Sequence, residues 1–281
     1  PDMTPTARWI VKQDSDAGQD IELHSAPVSA HTHLHDLLWS QCFAAVLTSA
    51  TLTALGRFDT LFTQLGVPLD TPAIRLASPF NYSEKAQLVV PSLRTDPGRA
   101  DEHTEEIAEW IDKELIKIDA GLILFTSWRQ MNRVLELLSA ESLSRVLAQG
   151  DRSKQAMLTE HRARIDRNES SSLFGLASFA EGVDLPGKYL KDVIITKLPF
   201  SVPDDPVDAT LAEWVEQRGG NAFQEISVPA ASIKLTQAVG RLLRTEEDSG
   251  RVVLLDRRVV TRRYGQALLD ALPPFQRIIE R

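Results

Sequence analysis

The stretch Gln237-Ala-Val-Gly240-Arg241-Leu-Leu-Arg244 carries the densest concentration of reactive groups in the sequence. At about 100° per residue on a helix, Gln237, Arg241 and Arg244 fall within roughly 60° of one another, so one face would present an amide and two guanidiniums. Gly240 beside them leaves room for another backbone to approach. Two forked, permanently charged donors on a rigid face suit the triphosphate of a nucleotide, where arginine stabilises the charge that builds as a phosphoryl group is transferred. The alternative is a solvated basic face paired with Glu246, Glu247 and Asp248.

Other candidates sit at chain turns. Glu181 and Asp184 are three apart on the Gly-flanked stretch Glu181 to Gly187, after Ser178. They could act as a carboxylate pair, or simply fix a loop. Thr126, Ser127 and Arg129 follow an apolar run, where hydroxyls, backbone N–H groups and one guanidinium could hold single-strand phosphates. Trp128 among them reads equally as a core anchor. Ser49 and Thr51 also follow an apolar run, and could merely end a strand and cap the next helix. His31, His33 and His35, with His24 and Cys42 nearby, would share a strand face, but no carboxylate or second cysteine completes a metal set. They read as surface histidines.

These residues need elements to position them. Ala7 to Lys12 and Ile21 to Pro27 alternate around the polar run Gln13 to Gln19, as a hairpin does. Cys42 to Leu47 is continuously apolar, like a buried parallel strand. A helix is expected over Leu55 to Leu65, stopping at Gly66. Further helices are expected over Thr104 to Lys117, Trp128 to Leu138, Lys154 to Arg167, Val207 to Gln217 and Pro229 to Arg244. Strands are expected over Gly121 to Phe125, Arg145 to Gln149, Ser172 to Ala177, Lys191 to Lys197 and Arg251 to Leu255. Alternating strands and helices make an α/β fold with a parallel sheet covered on both faces. Pro68 to Pro79 and Pro91 to Arg99 read as surface connections.

With 281 residues, 43% hydrophobic and 25% charged, the composition is that of a folded domain. One cysteine excludes an internal disulfide and any four-thiolate site, and fits a reducing compartment. No apolar run approaches the roughly 18 residues that would span a bilayer, and the start at Pro1 has no signal-like character. A cytoplasmic protein, not natively begun at Pro1, is expected. The net charge of −8 argues against nucleic-acid binding by bulk electrostatics. Lys234 to Arg263, however, holds eight basic against four acidic residues, a local excess of +4 that leaves −12 elsewhere.

The order of motifs carries a resemblance. Thr48-Ser49-Ala50-Thr51-Leu52 is similar to motif III, Leu124-Phe125-Thr126-Ser127 to motif IV, Glu181 to Gly187 to motif V, and Gln237 to Arg244 to motif VI of the XPD/DinG-type superfamily 2 DNA helicases, within which the YoaA-type branch is the nearest. The stretches Ile195-Thr196-Lys197-Leu198-Pro199-Phe200 through Pro203-Asp204-Asp205-Pro206, and Asp248 to Arg258, also match, so the likeness covers about Val46 to Arg258. Ala180 departs from it, since the family usually has tryptophan there.

The resemblance implies a RecA-like second motor lobe over residues 53–281, preceded by residues 1–52 resembling the end of the first lobe. Arg241, Arg244 and Gln237 would be catalytic on ATP. Ser49, Thr51, Glu181, Gly182, Asp184 and Gly240 would couple the ATP and DNA sites, and Thr126, Ser127, Arg129 and Ser178 would hold DNA. ATP and Mg²⁺ would be shared with a first lobe, because this sequence contains neither Gly-x-x-x-x-Gly-Lys-Ser/Thr nor Asp-Glu-x-His. The family's 4Fe-4S cluster would lie in that lobe too. The whole protein would unwind DNA 5′ to 3′ in repair or replication, with single-stranded and forked DNA as partners, while this chain alone would be inactive. The other reading is a protein-interaction module that docks a partner such as the clamp-loader chi subunit through the stripe Tyr264, Leu268, Leu269, Leu272 and Phe275. That stripe could equally pack on the chain's own sheet.

Overall fold

The computed structural model describes residues 4–15, 18–201 and 205–280, so Pro203 and Asp204 lie outside it. In chain order the elements are β1 (Thr6–Ser15), β2 (Gly18–Pro27), α1 (His31–Leu37), α2 (Asp59–Leu65), α3 (Tyr82–Lys85), β3 (Ala86–Val90), α4 (Ala100–Leu115), β4 (Ala120–Phe125), α5 (Trp128–Leu137), α6 (Ala140–Ser144), β5 (Val146–Ala148), α7 (Lys154–Asp166), β6 (Ser171–Leu176), β7 (Asp192–Ile195), α8 (Pro206–Gln217), α9 (Val228–Val239), β8 (Gly250–Leu254), α10 (Arg258–Thr261), α11 (Arg263–Ala271) and β9 (Gln276–Ile279). They fall into two compact units, one of Pro1–Arg75 with Phe200–Ile233 and one of Leu76–Pro199 with Lys234–Arg281.

The larger unit is built on a seven-stranded sheet in the order β5-β6-β4-β7-β8-β3-β9. Every described pairing in it is parallel. β4 and β7 are buried along their whole length, as the apolar runs Leu122 to Phe125 and Val193 to Ile195 require when helices cover both faces. On one face Ile107, Ile111 and Leu115 of α4 and Met131 and Val134 of α5 pack on Ile123, Phe125, Phe174, Ile194 and Val253. Ser127, Ser139 and Ser153 each cap a helix by accepting a backbone N–H, which sets where α5, α6 and α7 begin. Two strands escape a periodicity reading, β3 and β9. Both are short and lie on the outer side of β8, and β9 is exposed at every position.

The smaller unit holds the expected hairpin, with β1 and β2 antiparallel from Thr6–Pro27 to Ser15–Gly18. Trp39 Nε1 donates to the Leu65 carbonyl at 2.6 Å, and α2 stops at Gly66 with φ 67°. A Cβ there would lie 2.5 Å from the His31 carbonyl oxygen, so glycine is required twice over.

Three expectations for this unit are corrected. Cys42 to Leu47 is not a strand but an irregular, exposed segment, with Val46 91% exposed. The only sheet described in this unit is the two-stranded hairpin, and the segment pairs with neither of its strands. The helix expected from Leu55 begins only at Asp59, because Leu55 and Gly56 both have positive φ in a tight turn closed by reciprocal hydrogen bonds between Ala54 and Arg57. Neither Ser49 nor Thr51 caps it; the Ser49 hydroxyl accepts from the Thr51 N–H at 3.3 Å. The three histidines, expected on a strand, lie on α1, where positions two apart do not share a face.

Candidate functional site

Arg241 and Arg244 converge, though not by the expected route. Helix α9 ends at Val239, so of the three residues assigned to one helix face only Gln237 is helical. Gly240 weakens the helix, and the Arg241 and Leu242 N–H groups turn back to Ala238 and Val239 in three-residue steps. The buried Asp248 carboxylate then takes the Arg244 N–H at 2.6 Å and the Thr245 N–H at 2.9 Å, which removes them from any helix. What a Cβ on Gly240 would meet first is the Thr236 carbonyl, one turn back at 3.1 Å.

The two guanidiniums meet at the loop Glu181 to Gly187. Arg241 Nη1 donates to the Val183 carbonyl at 3.3 Å and Arg244 Nη2 donates to the same oxygen at 3.2 Å. Arg244 Nε also lies 3.2 Å from the Asp184 carboxylate. Arg241 Nε is buried with no hydrogen-bond partner among the described residues. Burial, then the neighbouring Arg244 charge, lower the Arg241 pKa from its ordinary value. The pair is therefore short of acceptors, which a phosphate would supply.

The loop is tied down by Asp248, in a role the sequence did not suggest, and by Lys154 and Arg162, which it did not single out. Asp248 accepts the Gly187 N–H at 2.8 Å and the Thr245 hydroxyl at 2.8 Å. Burial opposes its ionisation, but these bonds and those from the Arg244 and Thr245 N–H groups outweigh it and hold its pKa below the ordinary carboxylate value. Sequence alone suggests Asp248 as a counter-ion for arginine side chains; it binds backbone instead. Lys154 donates to the Glu181 carbonyl, and Arg162 donates to the Asp184 carbonyl at 2.7 Å. Glu181, Gly182 and Asp184 are exposed, with Gly182 at φ 69° in open space. Ala180, where tryptophan was expected, is buried.

Thr126, Ser127 and Arg129 line a groove of about 580 Å³ at the carboxyl ends of β4 and β7, together with Lys197, Arg133 and His103. Such edges are where open α/β sheets bind ligands. Ser178 is exposed at the end of the neighbouring β6 and is not among the lining residues. Arg129 pairs with Asp101 at 2.9 Å, both exposed. Trp128 is 45% exposed and is no core anchor; its ring lies over Gly150, where a Cβ would sit 3.5 Å away. Ser49 and Thr51 belong to the other compact unit. Of the stripe offered for docking, Leu268, Leu269, Leu272 and Phe275 are buried and Tyr264 is half-buried. Among the described residues no three His, Cys, Asp or Glu side chains gather as a metal site would, and no helix is long and apolar enough to cross a membrane.

Residues 113–275 match the helicase C-terminal domain. The chain is 47% identical to ATP-dependent DNA helicase DinG of Photobacterium profundum, over 98% of this chain and 40% of that protein. It is 36% identical to ATP-dependent DNA helicase DinG of Escherichia coli, over 96% of this chain and 38% of that protein. It thus spans about two fifths of the length of these curated relatives. The fold is similar to the solved structure named XPD_Helicase, with TM-score 0.66 and 20% identity over 96% of this chain and 48% of that one. The domain match runs from the end of α4 to Phe275 and takes in β4 to β8 with the loops at their carboxyl ends, and on that ground the chain belongs to the helicase C-terminal domain family.

Proposed function

We propose that this chain is the second motor lobe of an ATP-dependent, 5′-to-3′ DNA helicase acting in repair or replication. In this reading residues 1–52 complete the first lobe and residues 53–281 form the second. The carrying observation is the convergence of two guanidiniums on one carbonyl, with Arg241 Nε left over. That arrangement fits a γ-phosphate: Arg241 and Arg244 would exchange the Val183 oxygen for phosphate oxygens, and their charge would count most as negative charge shifts during transfer. Gln237 and Gly240 flank them, and Ser49, Thr51, Glu181, Gly182 and Asp184 would couple nucleotide to DNA.

Magnesium fits no donor set here, since the sequence has no phosphate-cradling loop, and its chemistry, clamping β- and γ-oxygens, would fall to the first lobe. The single cysteine, Cys42, cannot hold a 4Fe-4S cluster. Single-stranded DNA, including the strand of a fork, would cross the groove at Thr126, Ser127 and Arg129 and pass Ser178, with phosphates the principal contacts. The isolated chain, lacking half of the nucleotide site, would not turn over ATP.

The test is DNA-stimulated ATP turnover in the longer protein. Arg241→Ala and Arg244→Ala should each lower it by about 10³ to 10⁵, the worth of an arginine finger, with the melting temperature unchanged. Lysine at either position should rescue poorly, because a point charge cannot replace forked donors. Retention of more than about a tenth of the wild-type rate, a loss under about 1.4 kcal/mol, would return these residues to a solvated basic cluster.

A further inference from the structure

In the loop Glu181 to Gly187 the side chains of Val183 and Leu185 are buried, while Glu181, Gly182 and Asp184 are exposed. The loop carries glycines at φ 69° and 66°, nothing lies within 4 Å of where a Cβ would stand at either, and its Val183 carbonyl is shared by Arg241 and Arg244. If those two groups leave for a phosphate, Val183 loses both of its side-chain donors. Besides the burial of Val183 and Leu185 and the Gly187 N–H bond to Asp248, two side-chain hydrogen bonds among the described residues then hold the loop's carbonyls, and both come from one helix. Lys154, the first residue of α7, donates to the Glu181 carbonyl, and Arg162, two turns on, donates to the Asp184 carbonyl.

Lys154 is itself pinned. Its ammonium lies 5.2 Å from the centre of the Phe179 ring, and that ring packs where a Cβ on Gly175 would stand 2.6 Å away, so the ring is pressed against the backbone of β6. Burial first, and the Arg241 charge second, lower the lysine's pKa. The lysine therefore holds a carbonyl beside the like charge of Arg241.

We infer that Lys154 and Arg162 are positioning residues: they clamp the loop on either side of Val183, so that Arg241 and Arg244 exchange that carbonyl for a phosphate while the loop holds its shape. The inference rests on the nucleotide reading above for its purpose, but the clamp itself is a property of this chain. Neither residue touches the phosphate. Their removal would misplace the guanidiniums, and a 1 Å misplacement costs about 10²-fold in rate.

Two measurements test it with Lys154→Met, Arg162→Met, Lys154→Arg and Arg162→Lys. In the 281-residue chain, hydrogen–deuterium exchange should speed up about tenfold or more at Val183 and Gly187 N–H in each methionine variant, without a comparable rise in the strands β4 and β6. In the longer protein, each methionine variant should lower kcat for DNA-stimulated ATP turnover about tenfold or more with KM for ATP within about twofold, and Lys154→Arg and Arg162→Lys should restore most of it. Unchanged exchange in the loop would overturn the clamp whatever the turnover. Faster exchange with wild-type kcat would overturn the positioning role, and faster exchange in a longer protein that never hydrolyses ATP would sink the nucleotide reading while leaving the clamp in place.

Discussion

Two stretches of this chain are written almost alike. Leu122-Ile-Leu-Phe125 leads into Thr126-Ser127, and Ala44-Ala45-Val46-Leu47 leads into Thr48-Ser49. The first is the last four residues of β4, which is paired on one side with β6 and on the other with β7, and is wholly buried. The second has no strand beside it and lies open. An apolar run states what a segment would do if its backbone bonds could be met; the neighbours decide whether they are. Within the same chain, one such run is paired on both sides and the other is irregular and exposed.

The largest effect that could break this contrast is truncation in each run. Phe125→Ala should cost about 3 to 5 kcal/mol in urea unfolding, because it empties the space packed against Phe174. Phe43→Ala should stay within about 0.5 kcal/mol. Equal losses would mean that the exposed segment packs after all.

A smaller contrast sets the buried anchor of the Glu181 to Gly187 loop against the polar end of the exposed run. Asp248→Ala strips one acceptor from the Arg244, Thr245 and Gly187 N–H groups and from the Thr245 hydroxyl, and should cost on the order of 3 kcal/mol. Ser49→Ala, which loses only the local bond to the Thr51 N–H, should be nearly silent by the same assay. A silent Asp248→Ala would show that the loop does not depend on its anchor.

The smallest effect is on acid stability. Burial lowers the pKa of His161, which bonds Ser171 and the Tyr189 carbonyl, and likewise that of His103, so both stay neutral in the fold below their ordinary value of 6.5. The unfolded chain takes up those protons first, so their contribution is full above that value and is lost as pH falls toward the depressed folded pKa. The melting temperature should therefore drop from about pH 7.5 to about pH 5.5, and His161→Gln should flatten the slope. A flat wild-type profile contradicts this.

Much of the sheet was legible because its inner strands are unbroken apolar runs, and a run buried on both faces leaves little ambiguity. β3 and β9 were not, since a five-residue alternation and a four-residue exposed edge resemble ordinary connections. The arginine pair was found by type and spacing, yet the helix that was to align it ends one turn early. Asp248 decides that by taking two backbone N–H groups, and a backbone bond across a turn leaves no mark in a spacing rule. Lys154 and Arg162 were invisible for a related reason, as their acceptors are carbonyls 27 and 22 residues away, which only the fold brings to them. Trp128 misled in the opposite sense, a large aromatic left at the rim over Gly150.

Arg241 and Arg244 rest on the Val183 carbonyl, and in the proposed motor they would be exchanged onto a γ-phosphate. The most direct measurement is a structure of the longer protein with ADP and beryllium fluoride, a mimic of the bound triphosphate. The account predicts both guanidiniums within about 3 Å of the fluorides that stand in for γ-phosphate oxygens, detached from Val183, with the loop still tied to Lys154 and Arg162. Nucleotide bound between the lobes with both guanidiniums still on the Val183 carbonyl would contradict it.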